Sequence, residues 1–148
     1  MKKLHGHYCR ICHSRKPNEA FSSKGHRIHV CKKCSLLPKE KREEIQCKDE
    51  IFNYLRQSHI SDKNMSRLRK LALSHNEEIA EIAGIVLEVA EIKPYKKRRL
   101  KELARQRHDL LHKLKETGLI LAHGLWVIWD HIFSGLLKPT KNKISDTE

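Results

Sequence analysis

Two cysteine pairs constrain this chain more than any other feature. Cys9 and Cys12 are separated by eighteen residues from Cys31 and Cys34, which gives C-x2-C-x18-C-x2-C. Two residues between cysteines let one tight turn present two sulfurs to the same ion, and zinc takes four such ligands tetrahedrally. Backbone N–H groups in these turns donate to the sulfurs and spread their charge. The spacer is long enough for a hairpin that returns the second pair to the first. The pattern predicts one structural Zn2+ held by Cys9, Cys12, Cys31 and Cys34. The fifth cysteine, Cys47, falls outside the set and reads as a free thiol on the helix that follows.

Compartment follows from the same residues. The opening MKKLHGHYC is basic but has no apolar stretch behind it, so it is not read as a secretory signal. Paired cysteines in that setting indicate metal ligation in a reducing cytoplasm rather than disulfides.

Charge is the second constraint. The 148 residues carry 31 Lys and Arg against 18 Asp and Glu, a net charge of +13. Charged residues are 33% of the chain and hydrophobic ones 39%, against about 25% charged in an average globular chain. A small helical core is affordable on these terms. A doubly wound or barrel enzyme is excluded by length and by the lack of strand–helix alternation. The two ends are strongly basic and the middle, 36–92, is slightly acidic. Clustered cations at a pI near 9.7 suit a polyanion, chiefly nucleic acid.

Along the chain, Arg27–Val30 alternates polar and apolar residues and predicts a short strand, with a turn at Ser22–Gly25. Residues 36–58 read as a helix with Pro38 in its first turn, Glu40, Glu43 and Glu44 early, and Ile45, Ile51, Phe52 and Leu55 on one face. Ser61 is placed to cap a helix through about Leu73, and Ser74 or Asn76 to cap the next, 77–92. That helix is apolar around most of its circumference, which makes it central. After Lys93-Pro94, one long basic helix is expected over 95–116, with Leu100, Leu103, Leu110, Leu111 and Leu114 inward and Gly118 as its stop. Four units follow from this: a zinc module at 1–36, a helical body at 37–92, a basic helix plus apolar segment at 93–137, and a disordered tail at 138–148. The expected fold class is mainly α, with a small four-cysteine module and a short β-hairpin ahead of a helical bundle.

The knuckles YCRIC and VCKKC, the second leading into a helix, resemble zinc-ribbon and treble-clef modules, with treble clef favoured by that helix. The stretch KPNEAFSSKGHRIHVCKKC also resembles small bacterial zinc proteins without assigned function. One departure is His13, where such knuckles usually carry Gly. Residues 62–92 resemble a single HEAT-type helical hairpin, but no second copy follows, and such arrays need about three.

The treble-clef resemblance also implies an enzyme reading. HNH-type nucleases on this scaffold keep a second metal site with a general-base histidine, and His26 and His29 fall in the comparable stretch. Glu19 is the only carboxylate in the module, a poor supply for a hydrolytic metal site. His108-Asp109-Leu110-Leu111-His112 resembles the H-E-x-x-H metalloprotease helix, with Asp for Glu and four flanking cations that oppose metal binding. The histidines at 7, 13, 26 and 29 read as surface or phosphate-facing groups, since four cysteines complete the shell.

These features favour a non-enzymatic zinc protein that binds nucleic acid, RNA or the ribosome before DNA. The expected phosphate contacts are Arg10, Arg15, Lys16, Lys24, Arg27, Lys32 and Lys33 in the module. On the long helix they are Lys96, Lys97, Arg98, Arg99, Lys101, Arg105 and Arg107. The rival readings are the metal-dependent nuclease and a protein- or membrane-interaction adaptor. The apolar segment 119–137, LILAHGLWVIWDHIFSGLL, is too interrupted by His123, Asp130 and His131 to span a bilayer; it is read first as packing on the central helices, and otherwise as the adaptor's partner-binding or membrane-interface surface.

Overall fold

Three of the helices begin where the sequence supplies an oxygen to cap them. In the computed structural model, which describes residues 6–124, Ser22, Ser61 and Asn76 each accept a hydrogen bond from the backbone N–H three residues on. Each satisfies a donor that the first helical turn leaves without a partner.

The chain opens on a two-stranded antiparallel hairpin, β1 (His7–Tyr8) with β2 (Arg15–Lys16), registered His7 to Lys16 and Tyr8 to Arg15. After a 3-10 turn at Asn18–Ala20 come α1 (Ser23–Ile28) and the short α2 (Lys32–Ser35). The strand expected at Arg27–Val30 is therefore a correction: Arg27 and Ile28 close α1, and His29 and Val30 form the turn after it. Local hydrogen bonds outweigh the alternation there. Gly25 N donates to Ser22 Oγ at 3.0 Å, and His29 turns left-handed (φ 57) to end the helix. A Cβ on Gly25 would sit 2.5 Å from the Val30 carbonyl, so only glycine lets the chain fold back this tightly.

The helical body holds α3 (Lys39–Arg56), α4 (Asp62–Leu71), α5 (Glu77–Ile92), α6 (Arg99–Gln106) and α7 (His108–Glu116). Pro38 is the residue before α3 rather than part of its first turn. As its near-continuous apolar sequence implies, α5 is central. It buries Ile79, Ile82, Ala83, Ile85, Val86, Val89 and Ala90 and packs against α3, α4 and α7. Two apolar clusters result. Cys9, Ile11, Phe21, Val30, Cys31 and Cys34 form one, with Leu37 and Ile45 against it. The other lies among the helices from Ile51 to Ala122. α3 contributes to both, which ties the cysteine module to the body.

The single helix expected over 95–116 is two. It starts only at Arg99, because Tyr95 bridges to His59 in an extended pair and Arg98 is left-handed (φ 60). It breaks at Arg107 (φ −141, ψ 70). There the Arg107 side chain pairs with Glu88 at 3.1 Å and Asp109 at 2.7 Å, so α7 turns back onto α5. The leucines at 100, 103, 110, 111 and 114 are all buried, as their spacing requires.

Glycine at 118 (φ 73) follows α7 and leads into a 3-10 turn, Leu119–His123. Leu119, Ile120 and Ala122 enter the core between α3 and α7. The remainder of the apolar segment, 125–137, and the tail at 138–148 lie outside the described residues. Among the described residues no helix is long and apolar enough to cross a membrane.

Candidate metal centre

The hairpin turn and the start of α2 bring the two cysteine pairs together. Cys9 and Cys12 flank the turn between β1 and β2, closed by Cys9 N donating to Ser14 O at 3.0 Å. Cys31 stands at the N-terminus of α2 and Cys34 lies within it. One ligating atom from each of the four comes within 4.8 Å of the others. A zinc ion at about 2.3 Å from four sulfurs would set them about 3.8 Å apart, so the set fits one structural ion after slight contraction.

The surroundings favour the thiolate at Cys12 and Cys31. Ser14 Oγ lies 3.1 Å from Cys12 Sγ, Lys16 Nζ donates to Cys31 Sγ at 3.4 Å, and Cys31 N donates to Cys9 Sγ at 3.4 Å. The Ser14 contact is the main reason the Cys12 thiol falls to about 6. Burial raises Cys31, but hydrogen bonds from Cys34, Cys9 and Lys16 outweigh it and hold that thiol below its ordinary value. Burial, with its sulfur neighbours, pushes Cys34 up to about 12. Four anionic sulfurs this close require a cation among them, and a bound ion would hold all four deprotonated. Cys9, Cys31 and Cys34 are buried and Cys12 is exposed. With four protein ligands the shell is closed, which is the arrangement of a structural site. Cys47 stands apart on α3, half-buried, its thiol raised by burial.

Among the described residues these four are the one group of three or more His, Cys, Asp or Glu side chains placed to hold an ion. His7, His26 and His29, near the cysteines, pair among themselves instead. His7 Nε2 lies 2.8 Å from His29 Nδ1 with the rings stacked, and His26 packs edge-on to His7. On α7, His112 pairs with Glu116 at 3.2 Å and Asp109 is taken by Arg107, so His108 and His112 form no metal group.

His13 explains the departure from the usual knuckle glycine. It adopts the left-handed conformation (φ 55) that glycine serves at such a turn. Its ring bridges outward, with Nδ1 2.8 Å from Tyr8 Oη and Nε2 3.1 Å from Asp49 Oδ2 on α3. Between the knuckle and that face of α3 opens a cleft of about 670 Å³. Sequence reasoning missed its α3 wall, Gln46, Asp49, Asn53 and Arg56. The available signal was a polar stripe at helical spacing opposite Ile51 and Leu55.

The fourteen cations expected to meet phosphate divide sharply. Arg10, Arg15, Lys24, Arg27, Lys32, Lys33, Lys97, Arg98 and Lys101 are exposed. Lys16 turns to Cys31 and Lys96 Nζ donates to the Arg56 carbonyl at 3.4 Å, while Arg105 is exposed as well but pairs with Glu102 at 2.8 Å. Arg107 is committed to Glu88 and Asp109.

Arg99 is the correction. It is fully buried and faces no solvent. Its guanidinium donates to the carbonyls of Lys93 at 2.9 Å, Leu55 at 3.0 Å and Pro94 at 2.6 Å. These carbonyls belong to the ends of α3 and α5, where the helix dipole is negative. No carboxylate is needed: the Leu55 and Lys93 carbonyls at the helix ends and the Pro94 carbonyl, which also accepts from Ile60 N, take its donors, and burial lowers its pKa only to about 10. Its remaining contact is His123 Nε2 at 3.3 Å. Arginine has no acceptor, so Nε2 must be unprotonated.

Compared with models of known families, with curated proteins and with solved structures, the chain matches none.

Proposed function

We propose that this chain is a non-enzymatic, zinc-stabilised nucleic-acid-binding protein, with RNA its preferred partner. The observation that carries the reading is the charge around the metal centre. Arg10, Arg15, Lys24, Arg27, Lys32 and Lys33 are exposed on a module whose one carboxylate is Glu19. A zinc with four thiolates adds a charge of about −2 and leaves the module cationic. Exposed cations of this density, unmatched by acids, neutralise phosphates and release counterions. Lys97, Arg98 and Lys101 extend the surface beyond the end of α5.

In this reading the module is of treble-clef type, with one ligand pair on a hairpin turn and the other at a helix start. The zinc replaces the core that so short a segment cannot build. RNA is preferred because the exposed elements are a turn, short helices and a loop, suited to shape and backbone rather than to a duplex major groove. The zinc-loaded chain, titrated into labelled structured RNA, tests this. Replacing Arg15, Arg27 and Lys32 together with alanine is expected to weaken binding at least ten-fold, whatever the RNA sequence. Unchanged affinity would refute the assignment.

A further inference from the structure

The cleft between the knuckle and α3 has a lining that the metal centre does not explain. Its volume, about 670 Å³, is within the range of small-ligand sites, roughly 300–1,000 Å³. Its two carboxylates are already committed. Asp49 faces His13 at 3.1 Å, and Glu50 accepts from Arg67 Nε at 3.0 Å and from Tyr54. What remains is a set of donors and amides. Arg10, Arg56, Gln46 and Asn53 line the cleft, and among the described residues none of these side chains forms a hydrogen bond or ion pair.

Tyr8 completes the set. It is 43% exposed, unusual for so large a ring. Its hydroxyl is fixed by His13 at 2.8 Å, and His13 in turn by Asp49. The ring is thus a fixed platform beside two free guanidiniums and two free carboxamides. That combination matches one chemical class: a planar heteroaromatic base with polar edges, joined to phosphate.

We propose that this cleft holds one unpaired nucleotide of a single-stranded nucleic acid, with its base against Tyr8 and its phosphates on Arg10 and Arg56. The inference rests on the nucleic-acid reading above and narrows it to single strands, because base faces in a duplex are covered by their neighbours. Gln46 and Asn53 reach the base edge. The strand has a continuation: the Arg56 carbonyl is held by Lys96, and the adjoining loop exposes Tyr95, Lys97 and Arg98. There Tyr95 lies against His59, the ring centroids 4.5 Å apart, as a second aromatic surface.

The test uses the zinc-loaded full chain with a labelled oligouridylate of about a dozen nucleotides and a blunt RNA duplex of similar length. The single strand is expected to bind roughly ten-fold more tightly than the duplex. Tyr8→Ala is expected to weaken the single strand roughly ten-fold and the duplex less than about two-fold, as loss of one stacked base predicts. Tyr8→Phe keeps the ring and retains binding. Arg56→Gln, on the exposed end of α3, weakens the single strand several-fold without touching the zinc module. Duplex bound as tightly as single strand, with the Tyr8 and Arg56 variants like wild type, would overturn the cleft and leave the broader reading standing. Binding to neither RNA would remove both.

Discussion

His13 Nε2 lies 3.1 Å from Asp49 Oδ2, and this contact joins the knuckle of the cysteine module to the third helix of the body. The backbone that makes it possible is left-handed at His13 (φ 55), a conformation that costs any residue except glycine about 1–2 kcal/mol. The pair is roughly half exposed, so its ionic contribution is under about 1 kcal/mol. His13→Gly loses the contact but relieves the backbone, whereas His13→Ala loses the contact and keeps the strain. Urea unfolding of the zinc-loaded protein is therefore expected to find the alanine variant less stable than the glycine variant by about 1 kcal/mol. The reverse order would show that the backbone is not strained there.

Arg99 is predicted to be structural. Arg99→Met would leave the carbonyls of Leu55 and Lys93 without their donor and take one of two donors from Pro94, which keeps Ile60 N at 3.0 Å. Each such loss costs about 1–3 kcal/mol, so a total loss of about 3 kcal/mol or more is expected in urea unfolding. Arg99→Lys offers fewer donors in a different geometry and should recover only part of it. A methionine variant as stable as wild type would contradict this role.

His123 couples stability to pH. Burial first, and then the Arg99 charge, hold its pKa down to about 4, against 6.5 when unfolded. The folded state thus keeps the imidazole neutral while the unfolded state takes up a proton. Its contribution is complete above about pH 6.5 and is lost as pH falls toward about 4. A shift of this size corresponds to about 3 kcal/mol. His123→Gln cannot titrate, so the gap between variant and wild type should shrink from pH 7 to pH 4.5. A gap that does not change with pH would show that His123 is not buried beside Arg99.

Metal removal separates the two apolar clusters. Chelation is expected to release one zinc per chain and to expose Cys9, Cys31 and Cys34 to thiol reagents. Most far-UV helical signal should survive, since α4 to α7 pack around Ile51, Val86 and Leu103 without the module. Cys31→Ser should reproduce this and Cys47→Ser should not. Complete loss of helix on chelation would show that the body depends on the ion.

How much of this was legible in the sequence differs by element. The cysteine spacing points directly to the metal set, because ligand geometry depends on short local turns. Ser61 and Asn76 are visible as caps, and the leucines of α6 and α7 as a buried face, because both are properties of one helix. The fold of residues 23–28 was not legible: alternation in Arg27–Val30 suits a strand, and a Ser22 cap with a tight Gly25 decides for a helix. Arg99 looks like its neighbours Lys97 and Arg98 in sequence. Only tertiary structure shows that three helix-end carbonyls converge on it. Arg107 similarly breaks a helix through Glu88, nineteen residues earlier. The cleft was hidden for the same reason, since Tyr8 and Arg56 meet only once the module docks on α3.

Phosphate binding by the exposed cations of the module is the property on which the proposed function stands or falls. Fluorescence anisotropy of zinc-loaded protein with labelled structured RNA and duplex DNA, from roughly 50 to roughly 300 mM salt, tests it most directly. The expected result is an affinity whose logarithm falls steeply and linearly with the logarithm of salt, with a slope corresponding to several phosphates and with RNA bound more tightly than DNA. No binding to either at the lowest salt would contradict it.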